Sequence, residues 1–180
     1  IVGDNALVFA FSSGRMLFGC LLIRALALRL NLAPPRWAAC LAYLVFGLAN
    51  PMPYNLARAA VYEAAIAAGA CFFVAGLYCA LNALFASNGR TFRRWLLGAS
   101  IAFGLAGASR VSLMPACVMA LAVVYTARAR SRFRLEDALR VLLYGAVPFG
   151  LITVAQLGLN YLRFGSWLEF GVSYQLGYKF

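Results

Sequence analysis

Residues 95–127 read WLLGASIAFGLAGASRVSLMPACVMALAVVYTA, a stretch of 33 residues with one charge, Arg110. As a single helix it would be about 50 Å long, whereas the hydrocarbon core of a bilayer is about 30 Å thick. Arginines flank it on both sides, at positions 90, 93 and 94 and at positions 128, 130, 132 and 134. Because loops rich in Arg and Lys stay in the cytoplasm, both ends belong on that side. The stretch therefore predicts two crossings joined by an outer turn at GASRVSLMP, residues 107–115.

The composition of the whole chain is that of a membrane protein. Of its 180 residues, 64% are hydrophobic and 12% are charged, with a mean hydropathy of +0.83. Soluble domains carry about 25% charged residues, and a soluble core of this size could not bury so many apolar runs. The net charge of +11 comes from arginines at the ends of those runs, so it indicates topology and anionic lipid headgroups rather than nucleic acid.

The cysteines and the lack of histidine argue against a metal site or disulfides. No two cysteines form a C-x-x-C pair, and all five lie inside apolar runs, which is typical of inert buried thiols. The five are Cys20, Cys40, Cys71, Cys79 and Cys117.

The remaining apolar runs complete an all-α polytopic bundle of about six crossings. They cover residues 5–30, 37–51, 60–86 and 141–161. Eleven of the sixteen basic residues then fall in the inner loops, which places the N-terminus outside. We interpret residues 1–180 as one partial transmembrane domain of a longer chain, because the sequence begins with Ile1. Residues 161–180 begin a segment on the outer side.

Two residues mark irregular places in this arrangement. Arg15 would lie near the middle of the membrane if the first helix began at Asn5, at a cost of roughly 2.5–3.5 kcal/mol. Because FSSGR (residues 11–15) contains weak helix formers, we expect the helix to begin nearer Ser12, with Arg15 at its outer edge. Pro148 is expected to kink the last helix.

Polar residues collect at the outer ends of the predicted helices. Arg58 and Tyr62 are four residues apart and share a helix face, whereas Glu63 has no cation at a helical spacing. A carboxylate that points into a bundle needs a partner, a water-filled cavity or a proton. Glu63 either interacts with the positive end of its helix or lines an outward cavity with Arg58 and Tyr62, suited to a ligand with hydroxyls and a phosphate.

Two further outer residues have the same two interpretations. Arg110, at the predicted turn, either extends to the interface or binds a phosphate. Glu169 lies among aromatic residues that form either an interfacial belt or platforms for sugar rings. In that second case its carboxylate would accept hydrogen bonds from a hydroxylated substrate. The inner halves of the helices are almost wholly apolar, which disfavours a channel or a midplane transport site and favours chemistry at the outer surface.

Three stretches together resemble a known family. They are ARAAVYEAAIAAGACFFVAGLY (57–78), GLAGASRVSLMPACVMAL (104–121) and NYLRFGSWLEFGVSYQLGY (160–178). Their order is similar to that in the multi-pass glycosyltransferases of the C superfamily (GT-C). The closest branch is the bacterial one that resembles dolichyl-phosphate-mannose protein mannosyltransferases. The resemblance implies transfer of one sugar from a polyprenyl-phosphate carrier at the outer face of the bacterial plasma membrane.

The resemblance also implies roles for individual residues. An acidic residue in the first outer loop of such enzymes is the general base, and Asp4 lies where that loop would end. Asp4 is thus the catalytic candidate within this chain, and a residue before Ile1 is the alternative. Arg58, Tyr62 and Glu63 match the stretch R-x-x-x-Y-E and, with Arg110, would bind the substrate or the carrier phosphate. A divalent metal ion is an optional cofactor of the family, and no metal ligand is assigned here.

The alternative is that the chain belongs to a polytopic membrane protein without enzymatic activity. It would be a transporter or an assembly subunit, and it would be expected to hold Glu63 in a salt bridge within a closed bundle.

Overall fold

A computed structural model describes residues 4–48, 61–131, 139 and 141–170, and this part of the chain is helical without any strand. The helices are α1 (Asp4–Arg29), α2 (Arg36–Leu48), α3 (Val61–Leu84), α4 (Gly89–Ser109), α5 (Met114–Ser131) and α6 (Val147–Phe164). A single 3₁₀ turn, Val111–Leu113, precedes α5, and a π turn, Leu142–Ala146, precedes α6. The all-α prediction is confirmed.

In the part of the chain that the structure describes, three helical segments are long and apolar enough to cross a membrane by length and composition: Asn5–Arg29, Glu63–Leu84 and Leu142–Phe164. Two shorter apolar helices, Arg36–Leu48 and Val111–Ala127, lie between them in the sequence. The chain is therefore described as a membrane protein, and the count of six crossings stays a prediction.

The interruption of the helix predicted at residues 107–115 is confirmed, whereas the two crossings and the outer side of the turn stay predictions. Helix α4 ends at Ser109, and Arg110 adopts an extended conformation with φ −146° and ψ 109°. The N–H of Arg110 donates to the carbonyl of Ala106, which closes the last turn of α4. After the 3₁₀ turn, α5 begins at Met114, so Pro115 lies in its first turn, where its missing N–H is not needed.

The expected late start of the first helix is wrong. Helix α1 runs without interruption from Asp4 to Arg29, which places Arg15 near its middle. Gly14 does not break the helix because it serves a close contact instead. A Cβ at Gly14 would lie 2.9 Å from the Sγ of Cys71 in α3, so only glycine allows the two helices this approach.

Ring and glycine contacts fix the directions of the helices. Helices α1 and α3 run parallel, because Phe11 contacts Phe72 and, further along both helices, Phe18 contacts Tyr78. Helix α4 runs antiparallel to α3, since its early Trp95 meets Tyr78. Helices α4 and α6 run parallel.

Alanine is the commonest residue in the core, and many of the large apolar side chains face outward. Ten of the eighteen buried hydrophobic residues described are alanines, most of them on α3 and α4. Exposed positions include Leu151, Val154 and Leu162, which are 64–81% accessible. Such a distribution is unstable in water, where large apolar patches are rare, but it suits hydrocarbon. The small-residue face of Ser100 and Gly104 does meet another helix, since a Cβ at Gly104 would lie 2.9 Å from Ile152 of α6.

Candidate functional site

The beginnings of α1 and α3 lie side by side at one end of the bundle. Val8, one turn into α1, is fully buried in a cluster with Ala64 and Ala67 of α3. Asp4 begins α1, and Glu63 directly precedes Ala64, so the structure brings these two acidic residues to neighbouring helix turns. The side chain of Asp4 is not among those described.

Glu63 has the more unusual environment of the two. It lies in the first turn of α3 and is half-buried, and its Oε2 atom is buried without a hydrogen-bond partner among the described residues. The partial positive charge of the helix N-terminus stabilises a carboxylate at this position, which is one of its two predicted interpretations. That interaction does not saturate a carboxylate, which can accept about four hydrogen bonds. Glu63 therefore keeps an open acceptor that faces the protein.

Arg110 joins the same end of the bundle from α4. Its side-chain stem rests on α3, because a Cβ built at Gly69 would lie 3.4 Å from the Cγ of Arg110. Gly69 follows Glu63 by six residues, which is about 9 Å along the helix axis and about 120° around it. The long side chain of Arg110 thus starts within two turns of Glu63 on a neighbouring face of α3.

Comparison with protein-family models, with curated proteins and with solved structures gave no match.

The other predicted site residues are placed only in part. Arg58 lies outside the described residues, and Tyr62 belongs to the first turn of α3 with a side chain that is not described. Glu169 is half-buried and follows α6, which ends at the left-handed Gly165. Because α6 runs parallel to α4, Glu169 comes after the helix end that lies on the same side as Arg110.

A polar pair that the sequence did not single out as a site lies on α6. Asn160 is 3% exposed and accepts a hydrogen bond of 3.1 Å from Gln156 Nε2, whereas its own Nδ2 is buried without a partner. The four-residue spacing of two carboxamides in an apolar helix was the available signal. Both share the face that carries Ile152 towards α4.

An aromatic residue in the last turn of α6 and one that follows the helix form a stacked pair. The rings of Tyr161 and Trp167 have centroids 4.8 Å apart and an interplanar angle of 20°. Both residues remain about half exposed, at 48% and 53%. This geometry is compatible with both predicted interpretations, an interfacial belt and a platform for sugar rings.

The described residues do not provide a metal site. No group of three His, Cys, Asp or Glu side chains among them is close enough to hold an ion.

Proposed function

We propose that this chain is the membrane part of a glycosyltransferase of the C superfamily. It would transfer a sugar from a polyprenyl-phosphate donor to an acceptor at the outer face of the bacterial plasma membrane. The observation that carries the proposal is the open, buried Oε2 of Glu63 at the end of the bundle that also holds Asp4 and Arg110. An acceptor oxygen that faces the protein is suited to a ligand with hydroxyl groups.

In the proposed topology, the arginine-rich loops lie on the cytoplasmic side and the end of the bundle with Glu63 lies on the outer side. This topology uses six crossings, with α1 and α3 running inward and α4 and α6 running outward. The parallel pairs support this arrangement, because α1 and α3, and likewise α4 and α6, are separated by an even number of crossings. Asp4, Glu63, Arg110 and Glu169 then meet the leaflet from which a flipped carrier lipid presents its sugar.

The proposed roles follow from charge. The guanidinium of Arg110 binds the carrier phosphate, on which negative charge grows as it leaves. Glu63 accepts hydrogen bonds from hydroxyls of the bound sugar. Asp4, or an acid before Ile1, takes the proton of the acceptor hydroxyl while the oxygen of that hydroxyl attacks the anomeric carbon of the sugar. The bond from that carbon to the phosphate oxygen breaks, and polyprenyl phosphate is released.

The experiment is transfer activity of the full-length protein in membrane vesicles with labelled polyprenyl-phosphate sugars. Glu63→Gln and Arg110→Gln should each reduce kcat/KM by about tenfold to a hundredfold, since each removes a hydrogen bond to a charged group. Arg36→Gln, at the opposite end of the bundle, is the matched control and should have little effect. Unchanged transfer in both site variants would remove these residues from the site, and no transfer by the unaltered protein would favour a transporter or an assembly subunit.

A further inference from the structure

A second polar groove lies between α1 and α3 at the other end of the bundle. It has a volume of about 440 Å³, within the range of roughly 300–1,000 Å³ found for small-molecule sites. Its lining comes from the last turns of both helices: Leu21, Arg24, Ala25, Leu28, Arg29, Tyr78 and Asn82. It therefore opens about a helix length away from Glu63.

The polar part of the groove favours an anion. Arg24 is exposed and has no acidic partner among the described residues, and Arg29 lies with its Cζ 5.1 Å from the ring centroid of Phe85. The acidic side chains that the structure describes, Glu63 and Glu169, both belong to the opposite end. Two guanidiniums without a carboxylate partner among the described residues are well suited to the oxygens of a phosphate group.

The groove is also held in shape by the surrounding rings. Tyr78 contacts Phe18 of α1 on one side and the edge of Trp95 of α4 on the other, with centroid distances of 6.3 and 5.7 Å. Asn82 donates from Nδ2 to the carbonyl of Tyr78 at 2.9 Å, which fixes its carboxamide one turn further on. These contacts hold Tyr78 and Asn82 in position on the wall next to α4, and side chains that are already positioned lose less entropy when a ligand binds.

The apolar part of the groove identifies the kind of ligand. Leu21, Ala25 and Leu28 follow each other along the same face of α1 as the arginines, and Leu28 is 66% exposed. A phosphate beside hydrocarbon is the chemistry of a membrane lipid, and basic grooves between helices on the cytoplasmic side are suited to such headgroups. We propose that this groove binds the phosphate headgroup of an anionic phospholipid, with its acyl chains along Leu21 and Leu28.

This site is independent of the proposed sugar transfer. It lies at the arginine-rich end and shares no residue with the candidate site around Glu63.

The test is lipid retention by the full chain. The protein is reconstituted in nanodiscs of phosphatidylcholine with about 20% phosphatidylglycerol, which provide an anionic membrane surface. After extraction into detergent, native mass spectrometry counts the phosphatidylglycerol molecules that stay bound. The unaltered protein should retain one. Arg24→Gln and Arg29→Gln should each reduce its affinity about fivefold, which corresponds to the attraction of one basic residue near the surface.

Two further variants separate a built site from diffuse attraction. Ala25→Trp leaves every charge in place but fills the groove, and it should abolish retention. Arg36→Gln removes one exposed charge at the start of α2 outside the groove lining and should preserve it. A loss with Arg36→Gln equal to that with Arg24→Gln, or full retention by Ala25→Trp, would overturn the proposal.

A competition arm distinguishes the source of the phosphate. Millimolar inorganic phosphate should leave the phosphatidylglycerol bound, because the free ion makes no contact with Leu21 and Leu28. Displacement of the lipid by inorganic phosphate would overturn the lipid assignment and identify a site for a soluble phosphate. Elution as one species and helical circular dichroism equal to those of the unaltered protein are required of every variant.

Discussion

The hydroxyl of Ser100 in α4 donates a hydrogen bond to the backbone carbonyl of Gly145, in the π turn before α6. The same oxygen accepts the N–H of Phe149 at 3.0 Å. In a regular helix the N–H of Phe149 would donate to the carbonyl of Gly145 directly, so the serine is inserted into the backbone ladder of the neighbouring helix. Pro148, which has no N–H, lies in the same turn. The irregularity expected at Pro148 is thus a π turn that is completed by a side chain from another helix.

Ser100→Ala is expected to destabilise the protein by about 1–3 kcal/mol, because it leaves a buried N–H and a buried carbonyl without their shared partner. Thermal unfolding in detergent, followed by circular dichroism, measures the effect as a lower midpoint. Ser109→Ala is the matched control, since the hydroxyl of Ser109 donates to Leu105 within its own helix and bridges nothing. An unchanged midpoint for Ser100→Ala would mean that Phe149 and Gly145 re-form the ordinary helical bond.

Gly76→Ala is expected to destabilise the contact between α3 and α4. A Cβ at Gly76 would lie 2.6 Å from two ring atoms of Phe103, which is completely buried and cannot move away. Overpacking of this kind costs about 1–3 kcal/mol. Gly150→Ala is the control, because nothing lies within 4 Å of its Cβ position, and it should be neutral or slightly stabilising. Phe103→Leu in the Gly76→Ala background should restore part of the loss, and no rescue would contradict the steric explanation.

Replacements of Gln156 and Asn160 by leucine are expected to have different effects on the stability of the protein. Asn160→Leu removes a buried amide whose Nδ2 has no partner, so the unfolding midpoint should stay constant or rise. Gln156→Leu removes the donor to Asn160 Oδ1, so the buried carboxamide of Asn160 is left without a hydrogen-bond partner among the described residues. This loss should destabilise the protein by about 1–2 kcal/mol. Should Asn160→Leu unfold the protein more readily than Gln156→Leu, the amide has a partner outside the described residues.

The proposed six crossings predict which helix ends share a side of the membrane. In a cysteine-free background, Asn88→Cys and Ala127→Cys should react with a membrane-impermeant maleimide only after the cells are opened. Ser112→Cys, in the turn at Arg110, should react in intact cells. Labelling of Asn88→Cys and Ala127→Cys from opposite sides would show that α4 and α5 do not form a hairpin within the membrane.

The sequence predicted the features that depend on length and charge. The turn at Arg110 follows from a run too long for one crossing with arginines at both ends, and the structure places it there. The position of Arg15 could not be read in the same way, because FSSGR has weak intrinsic helix propensity but is helical through its contacts with other helices. Gly14 fits Cys71, and the guanidinium of Arg15 lies 5.6 Å from the ring centroid of Phe46 in α2. Tertiary contacts override local preference at such positions.

The bridge from Ser100 to Gly145 was beyond sequence analysis for a related reason. Ser100 was recognised as part of a face of small residues, and this face does meet α6. Its hydrogen bonds span 45 and 49 residues, however, and they depend on the register between two helices. The grouping of Asp4, Glu63 and Arg110 at one end was predicted from charge bias, whereas the open Oε2 of Glu63 needed coordinates.

The alanine-lined interior has a consequence for how this protein can vary. Alanine side chains have no rotamers to lose, so the helices associate with little entropic penalty. The close packing around these alanines also leaves no space for a larger side chain. Exchanges among Leu, Ile, Val and Phe on the lipid side should be nearly silent, whereas one added carbon at an interhelical alanine should be felt. The tolerance of this molecule to mutation is therefore the reverse of that of a water-soluble protein. Apolar residues on its surface can be exchanged for one another, whereas the small residues in its interior cannot be enlarged without a loss of stability.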